Sequence, residues 1–334
     1  MQENIFEIKD IVVQYQLKKF NLSAVNHVNL NIKRGKITAL VGESGSGKTT
    51  LATAILNCIS TPGKITNGEV LYLGKEEVID VAKLDYEELN KFRWQEVSMV
   101  FQGAQSSLNP LMTIYEHFLE TYKAHNPKVK KKEMKEIVRK KAVELLTFVN
   151  LDPERVLVMY PHELSGGMKQ RVMIAFSLLL EPKLIILDEP TTALDVIVQN
   201  YIFKLLKKIN REMGISMLLL THDIGVVAQF ADYVAVMYGG EVVEYGTVFD
   251  VFTQRLSPYT NGLIKATPSL ITNIDDMDSI PGTPPDIRNL PKGCVFNPRC
   301  SKCMEVCLNR PAAVKDMGND HFVKCHLYEG DSNE

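Results

Sequence analysis

The feature that most constrains the fold of this chain is the segment GESGSGKTT, from Gly42 to Thr50, directly after the apolar run ITALV. It satisfies the pattern G-x-x-x-x-G-K-[S/T], in which a predicted strand leads into a loop and then a helix. Glycines let backbone N–H groups curl around phosphate oxygens, and the helix amino terminus adds positive charge. A glycine-rich turn without a ligand is the alternative. The order of strand, loop and helix favours a nucleoside triphosphate site.

Two side chains of this loop carry specific chemistry. Lys48 can reach the β- and γ-phosphates, and the hydroxyl of Thr49 can ligate Mg²⁺. The nucleotide contacts predicted in the loop are Gly42, Ser44, Gly45, Ser46, Gly47, Lys48, Thr49 and Thr50.

Two more apolar runs, KLIILDEP and ISMLLLTHD, end in polar residues. Continuous apolar runs are typical of strands buried on both faces of a parallel sheet. Asp188 and Glu189 end the first run, where a carboxylate at a strand's carboxyl end faces the phosphate loop. We expect Asp188 to hold Mg²⁺ and Glu189 to polarise the attacking water. The alternative is two solvated acids at the end of a strand.

A second segment, LSGGMKQR, has the properties of an anion site. Ser165 is a good helix N-cap, and Gly166 and Gly167 expose backbone amides before a helix predicted over Met168–Leu180. An ordinary capped helix is the alternative. Because the chain has one nucleotide loop, this second site is expected to serve a nucleotide held by another subunit.

Composition and charge exclude several classes of function. The net charge of −2 gives no general attraction to nucleic acid, and 45% hydrophobic residues suffice for a sizeable core. The amino-terminal residues MQENIFEIKD do not resemble a secretion signal, and the longest apolar run is too short to span a bilayer. We therefore expect a cytosolic chain with reduced thiols.

The rest of the chain divides by composition. A helical stretch is predicted over Ile114–Val149; its basic run KVKKKEMKEIVRKK is read as a solvated helix face rather than a phosphate or membrane contact. Residues 257–291, rich in Pro, Thr and Asp, are predicted to be a boundary or linker.

The combined motifs resemble the nucleotide-binding domain of ABC transporter ATPases over about Ile5 to Val251. The segments that carry this resemblance are Gly42–Thr50, Gln102, Leu164–Arg171, Leu184–Glu189, Ala193–Asp195 and His222. The resemblance implies an α/β P-loop fold with a helical subdomain over about 103–170. The domains are expected at 1–255, the nucleotide-binding domain, and 256–334, a small cysteine-rich C-terminal extension.

Residue roles follow from the resemblance. Gln102 is expected to sense Mg²⁺ and the γ-phosphate and to couple to the membrane subunits, and His222 to contact the γ-phosphate. Asp195 is expected at a dimer interface, and Tyr15 to stack on adenine, with Phe20 as its competitor. The predicted catalytic residues are therefore Glu189, His222, Gln102 and Lys48. The residues expected to contact the nucleotide of the partner subunit are Ser165, Gly166, Gly167, Gln170 and Asp195.

Segments beyond the common core resemble the ATPases of oligopeptide and dipeptide importers: SSLNP, VMYGGEVVEYG, SPYTNGLIKATPSL, IPGTPPDI and GCVFNPRC. This implies ATP and Mg²⁺ as cofactors and a place on the cytoplasmic face of the membrane. The implied partners are two permeases, a second ABC ATPase, identical or related, and an extracytoplasmic solute-binding protein. Nickel or another solute is the alternative cargo. An exporter ATPase and a nucleic-acid-linked ABC ATPase are less favoured, since the stretch between Lys48 and Ser165 has no room for a long coiled coil.

Five of the six cysteines lie near the end, four of them in GCVFNPRCSKCMEVC. In a reducing compartment such a group more often indicates a metal than disulfides. The resemblance implies a [4Fe–4S] cluster on Cys294, Cys300, Cys307 and Cys325, with Cys303 as the spare. Four thiolates also suit zinc, and ordinary reduced cysteines remain the plainer alternative.

Overall fold

A computed structural model describes residues 3–18, 20–103, 107–192, 194–267 and 280–329. The chain divides into two compact units. The first unit combines Met1–Lys83 with Leu219–Glu334, and the second unit is Leu84–Leu218.

The described elements alternate between strands and helices along much of the chain. The strands are β1 (Asn4–Gln16), β2 (Asn21–Lys33), β3 (Ile37–Val41), β4 (Gly63–Leu73), β5 (Val78–Asp80), β6 (Val97–Val100), β7 (Leu184–Asp188), β8 (Ser216–Thr221), β9 (Tyr233–Tyr238), β10 (Glu241–Thr247), β11 (Val314–Asp316) and β12 (Phe322–Lys324). The helices are α1 (Lys48–Ile55), α2 (Tyr86–Gln95), α3 (Ile114–His125), α4 (Lys131–Phe148), α5 (Pro153–Val156), α6 (Gly166–Ser177), α7 (Val196–Met213), α8 (Ile224–Phe230), α9 (Val248–Gln254), α10 (Pro258–Lys265) and α11 (Glu305–Asn309).

The first unit contains an antiparallel sheet with the strand order β2-β1-β4-β5. Strand β1 is central: Tyr15 pairs with Leu22 of β2 on one side and with Gly63 of β4 on the other. Its buried residues include Phe6 and Ile8, whose period of two places them on the core face.

A mixed arrangement of strands in the same unit positions the phosphate loop. Strand β3 is parallel to β9, β9 is antiparallel to β10, and β12 lies antiparallel to both β10 and β11. All five residues of β3 are buried, as expected for a strand covered on both faces. Strands β11 and β12 belong to the carboxyl-terminal part of the chain, which therefore extends the sheet that carries the loop.

The second unit is mainly helical around the parallel pair β6 and β7. The rings of Phe118 and Trp94 both pack edge-on against Phe176, with centroids 5.4 and 4.8 Å away. Such edge-on contacts add about 0.5–1.5 kcal/mol each beyond the area they bury. The runs predicted as buried strands are confirmed as β7 and β8.

Three predicted boundaries differ from the structure. The helix expected over Ile114–Val149 is two helices, because α3 ends at His125 and α4 begins at Lys131. The helix expected over Met168–Leu180 is α6, Gly166–Ser177, because Ser165 caps it directly. The segment 257–291, predicted as a linker, contains α10, since Pro258 suits a first helical position; residues 268–279 of that segment lie outside the described residues.

The lysines of the basic run that lie on α4 are exposed, except for the half-buried Lys141, and the buried face of the helix is apolar; its buried positions are Met134, Val138, Ala142 and Leu146. This spacing of four is typical of one helix face packed on a core. Within the residues that the structure describes, no helix is long and apolar enough to cross a membrane.

Candidate nucleotide site

The phosphate loop lies between β3 and α1, as its sequence predicts. Gly47 caps α1 with a φ of 102°, and a Cβ built there would lie 2.3 Å from the carbonyl oxygen of Ala24. A positive φ together with so close an approach requires glycine. Gly45 also has a positive φ, 79°, but nothing lies within 4 Å of a Cβ built there. Gly45 is exposed and lies where a ligand can reach the backbone.

Lys48 is folded onto the loop that precedes it. Its Nζ donates hydrogen bonds to the carbonyl oxygens of Gly42 at 2.8 Å and Glu43 at 3.0 Å, and to Ser46 Oγ at 3.4 Å. The side chain is buried, so its charge is held by the oxygens of the loop itself. Around it Ser44 and Thr49 are exposed, and Thr50 is half-buried. A cation is thus fixed at the centre of a loop that exposes polar atoms.

Two more predicted nucleotide contacts lie in the first unit. Tyr15 is half-buried near the end of β1, and a Cβ on Gly63 would lie 2.7 Å from its ring. Phe20, the competing aromatic residue, is 43% exposed. His222 is exposed and follows β8 directly, before the N-cap Asp223 of α8.

In the second unit, the predicted base and the predicted γ-phosphate sensor are brought together. Gln102 Nε2 donates to Glu189 Oε2 at 3.0 Å, and Thr192 Oγ1 donates to the same oxygen at 3.0 Å. Asp188 is 2% exposed at the end of β7, whereas Glu189 adopts a φ of 46°. A positive φ outside glycine costs about 1–3 kcal/mol and often marks a functional residue. Thr192 was not predicted from the sequence; its place three residues after Glu189 was the available signal.

The second predicted anion site is a capped helix start. Ser165 Oγ accepts a hydrogen bond from the N–H of Met168 at 3.3 Å, and Gly166 and Gly167 form the first turn of α6. A Cβ on Gly167 would lie 3.0 Å from Val198. The two small residues therefore leave the backbone of this turn close to α7.

Two other predicted contacts of the partner's nucleotide lie on α6 and α7. Gln170 is 3% exposed, and its Nε2 has no hydrogen-bond partner within the described ranges. Asp195 is exposed and caps α7, where its carboxylate accepts the N–H of Val198 at 2.9 Å.

The four cysteines predicted as ligands line one small cavity in the first unit, together with Phe296 and Val243; they are Cys294, Cys300, Cys307 and Cys325. Cys307 O accepts the N–H of Cys294 at 2.8 Å and Asn297 Nδ2 at 3.1 Å. Cys303 is exposed and lies outside this cavity.

Burial raises the pKa of the Cys294 thiol to about 11 and also raises the pKa of Cys300 and Cys325. Neighbouring thiols add to each of these increases, which reflects how near the sulfur atoms are to one another. In the described part of the chain, no three His, Cys, Asp or Glu side chains are close enough together to hold a metal ion as they stand. The cysteines therefore converge without forming a preassembled metal site.

Sequence reasoning missed the link between the loop and the carboxyl-terminal part. Arg299 forms a bidentate ion pair with Glu43, and the N–H of Glu43 donates to the Tyr259 hydroxyl at 3.0 Å. The two partners of the ion pair are 256 residues apart, and no motif connects them.

The parallel β3–β9 pair, the phosphate loop and the buried Lys48 together define a P-loop nucleotide-binding protein. Two family models refine that class. The model described as ABC transporter matches residues 25–192, and the model described as Oligopeptide/dipeptide transporter, C-terminal region matches residues 243–307. The chain belongs to the ATP-binding subunits of ABC transporters, in the oligopeptide/dipeptide family.

Individual relatives cover nearly the whole chain. The Dipeptide transport ATP-binding protein DppD of Caldanaerobacter subterraneus subsp. tengcongensis is 44% identical over 97% of this chain and 97% of its own length. The Oligopeptide transport ATP-binding protein OppD of Salmonella typhimurium is 43% identical over 92% of this chain and 89% of its own length.

A solved structure supports the fold independently. The dimeric bacterial ABC transporter cassette MJ0796 aligns with a TM-score of 0.62 and 35% identity over 73% of this chain and 98% of that chain. The prediction of an α/β ABC fold with a helical subdomain is thus confirmed. The predicted boundary between residues 255 and 256 stays a prediction.

Proposed function

We propose that this chain hydrolyses ATP to energise the import of dipeptides or oligopeptides through separate membrane permeases. The observation that carries the proposal is the match of residues 243–307 to the C-terminal region of oligopeptide/dipeptide transporters. The preceding core would suit an ABC ATPase of any cargo, whereas this region distinguishes the peptide family. The 44% identity to a dipeptide transport ATPase over almost the full length supports the same conclusion.

The phosphate loop would bind ATP through its exposed backbone and Lys48. On binding, the Lys48 ammonium exchanges the carbonyl oxygens of Gly42 and Glu43 for oxygens of the β- and γ-phosphates. Tyr15 offers an aromatic surface for adenine, a contact that contributes about 1–3 kcal/mol. These roles rest on the motif and on the contacts of Lys48 within the first unit.

Glu189 would act as the general base that takes a proton from the attacking water. Gln102 and Thr192 both donate to Glu189 Oε2, and these two contacts orient the carboxylate that would receive the proton. By the family resemblance, His222, which directly follows β8, would contact the γ-phosphate. Positioning and charge stabilisation, rather than covalent chemistry, carry phosphoryl transfer.

The donor atoms suit Mg²⁺, which prefers oxygen ligands. By its motifs the chain would supply a carboxylate from Asp188 and a hydroxyl from Thr49. By the family resemblance Gln102 would add its amide oxygen, since its Nε2 donates to Glu189. When bound, Mg²⁺ would supply positive charge that neutralises the phosphates.

The start of α6 would bind the γ-phosphate of a nucleotide held by a second ABC subunit. Ser165, Gly166 and Gly167 offer a hydroxyl and amides at a helix amino terminus, where an anion is stabilised. The buried, unpaired Nε2 of Gln170 and the exposed carboxylate of Asp195 belong to the same proposed interface. The partner is an identical or a related chain, and dimer closure and opening would drive two permeases on the cytoplasmic face of the membrane. An extracytoplasmic binding protein would deliver the peptide.

The C-terminal extension would hold a [4Fe–4S] cluster on Cys294, Cys300, Cys307 and Cys325. Their shared cavity and the preference of such clusters for four thiolates support this assignment, and zinc is the alternative. Because burial raises the thiol pKa values, loading would release protons. The bound group would supply a structural cross-link in a small segment; Cys303 is not used.

Uptake in cells lacking the native ATPase tests the cargo. Cells complemented with this chain, the permeases and the binding protein should accumulate labelled di- and oligopeptides, whereas a Lys48→Ala chain should not support uptake. Nickel uptake without peptide uptake would replace the peptide assignment.

A further inference from the structure

We infer that Arg299, in the C-terminal extension, is a positioning residue of the nucleotide site that fixes Glu43 and neutralises its charge beside the phosphate loop. The Arg299 side chain is 6% exposed and that of Glu43 is 24% exposed. Nη1 donates to Glu43 Oε2 at 2.6 Å and Nη2 donates to Oε1 at 3.0 Å. Paired bonds of this kind fix orientation as well as distance.

The guanidinium group is itself held in place. Its Nε donates to the carbonyl oxygen of Pro281 at 2.8 Å, and Nη1 also donates to the Tyr238 hydroxyl at 3.2 Å. Tyr238 packs against the buried rings of Tyr259 and Phe296, with centroids 4.5 and 5.1 Å away. Arg299 is therefore anchored by the core of the first unit rather than lying loosely on its surface.

Glu43 connects this anchor to the reactive lysine. Its side chain pairs with Arg299, its N–H donates to Tyr259, and its carbonyl oxygen accepts from Lys48 Nζ at 3.0 Å. All polar groups of this one loop residue are thus engaged. In the nucleotide-free loop, a shift of Glu43 would therefore change the position of Lys48 through that carbonyl.

The Arg299–Glu43 ion pair also affects the charge beside the phosphate loop. Glu43 is the second residue of a loop that binds a highly anionic ligand, and an unpaired carboxylate there would repel phosphate. The extension also contributes residues 284–287 to a cleft that is lined by residues 43–46 of the loop. With Arg299 in place, the negative charge of Glu43 is compensated before the nucleotide arrives.

The inference rests on ATP binding by the phosphate loop, which Lys48→Ala tests separately. ATP affinity is measured on the full chain by calorimetry, and kcat and KM on the complex with its permeases. Arg299→Ala should raise the Kd and KM for ATP by at least about tenfold, since uncompensated charge is costly at a binding site. At saturating ATP, kcat should stay within about threefold, because the reacting groups are intact.

A charge-restoring double variant separates this role from a merely structural one. In Arg299→Ala/Glu43→Gln the repelling carboxylate is gone, so ATP affinity should return to within about threefold of that of Glu43→Gln alone. Arg310→Ala is the matched control, because Arg310 pairs with Glu329 in the same extension and is half exposed. That control should leave ATP affinity unchanged.

Three results would overturn the inference: an unchanged Kd for Arg299→Ala, equal losses in Arg299→Ala and Arg310→Ala, or no recovery in the double variant. If Arg299→Ala does not fold by circular dichroism, Arg299→Lys carries the test. Lysine keeps the charge but cannot form the bidentate pair. Arg299→Lys should therefore raise the Kd for ATP, because Glu43 is no longer fixed by two bonds, whereas Arg310→Lys should not. A wild-type Kd for Arg299→Lys would overturn the positioning role.

Discussion

Replacing Gly47 by alanine should destabilise the start of α1 far more than the same change at Gly45. Both residues have a positive φ, 102° and 79°, which costs about 1–2 kcal/mol for alanine. Only at Gly47 would the new Cβ meet other atoms, 2.3 Å from Ala24 O and 2.8 Å from Met237 Cε. Overpacking of this kind adds about 1–3 kcal/mol. The totals are about 1–2 kcal/mol for Gly45→Ala and about 2–5 kcal/mol for Gly47→Ala.

Hydrogen exchange of the amides of α1 measures this difference. Tryptophan fluorescence does not, because the single tryptophan, Trp94, lies in the second unit. In the absence of nucleotide, exchange should become about 5- to 30-fold faster in Gly45→Ala and at least about 30-fold faster in Gly47→Ala. Equal exchange rates in the two variants would refute the steric argument.

Three other substitutions test the assigned roles. Glu189→Gln should bind ATP normally and accumulate as a closed dimer, while the rate of hydrolysis falls by about 10²–10⁴-fold because glutamine cannot accept the proton. Turnover at the wild-type rate would rule out Glu189 as the general base. Ser165→Arg should leave ATP binding by the single chain intact and abolish dimer-dependent hydrolysis. Normal hydrolysis would show that the start of α6 does not act across the dimer interface. Anaerobically purified Cys303→Ser should retain iron and sulfide, whereas Cys300→Ser should lose them; one zinc per chain without colour would replace the cluster by zinc.

The sequence was sufficient for features that depend on local pattern. The loop of Gly42–Thr50 and the buried runs that form β7 and β8 were predicted because their periodicity and motif spacing are local. The contact between Gln102 and Glu189 was not itself predicted, although both residues had been given roles near the reacting phosphate and water. The four thiols that the resemblance singled out line one cavity, while the cluster itself stays a prediction.

Tertiary contacts were not predictable in the same way. The break between α3 and α4 did carry a local signal, because Asn126 is followed by Pro127, but the helical periodicity on either side was given more weight. Ser257 and Pro258 carry a helix-start pattern that compositional reasoning overlooked. The Arg299–Glu43 pair joins residues that are 256 positions apart. It was not predictable, because an arginine beside a cysteine gives no sequence signal of a distant carboxylate partner.

The most direct test of the central claim is ATP hydrolysis by the complete complex in lipid vesicles. The vesicles contain this chain, its partner ATPase and both permeases, and the binding protein is supplied loaded with peptide or empty. We predict that peptide-loaded binding protein raises ATP hydrolysis and moves peptide across the bilayer, and that Glu189→Gln abolishes both. Hydrolysis that is indifferent to peptide, or peptide movement that continues with Glu189→Gln, would contradict the claim that this chain powers peptide import.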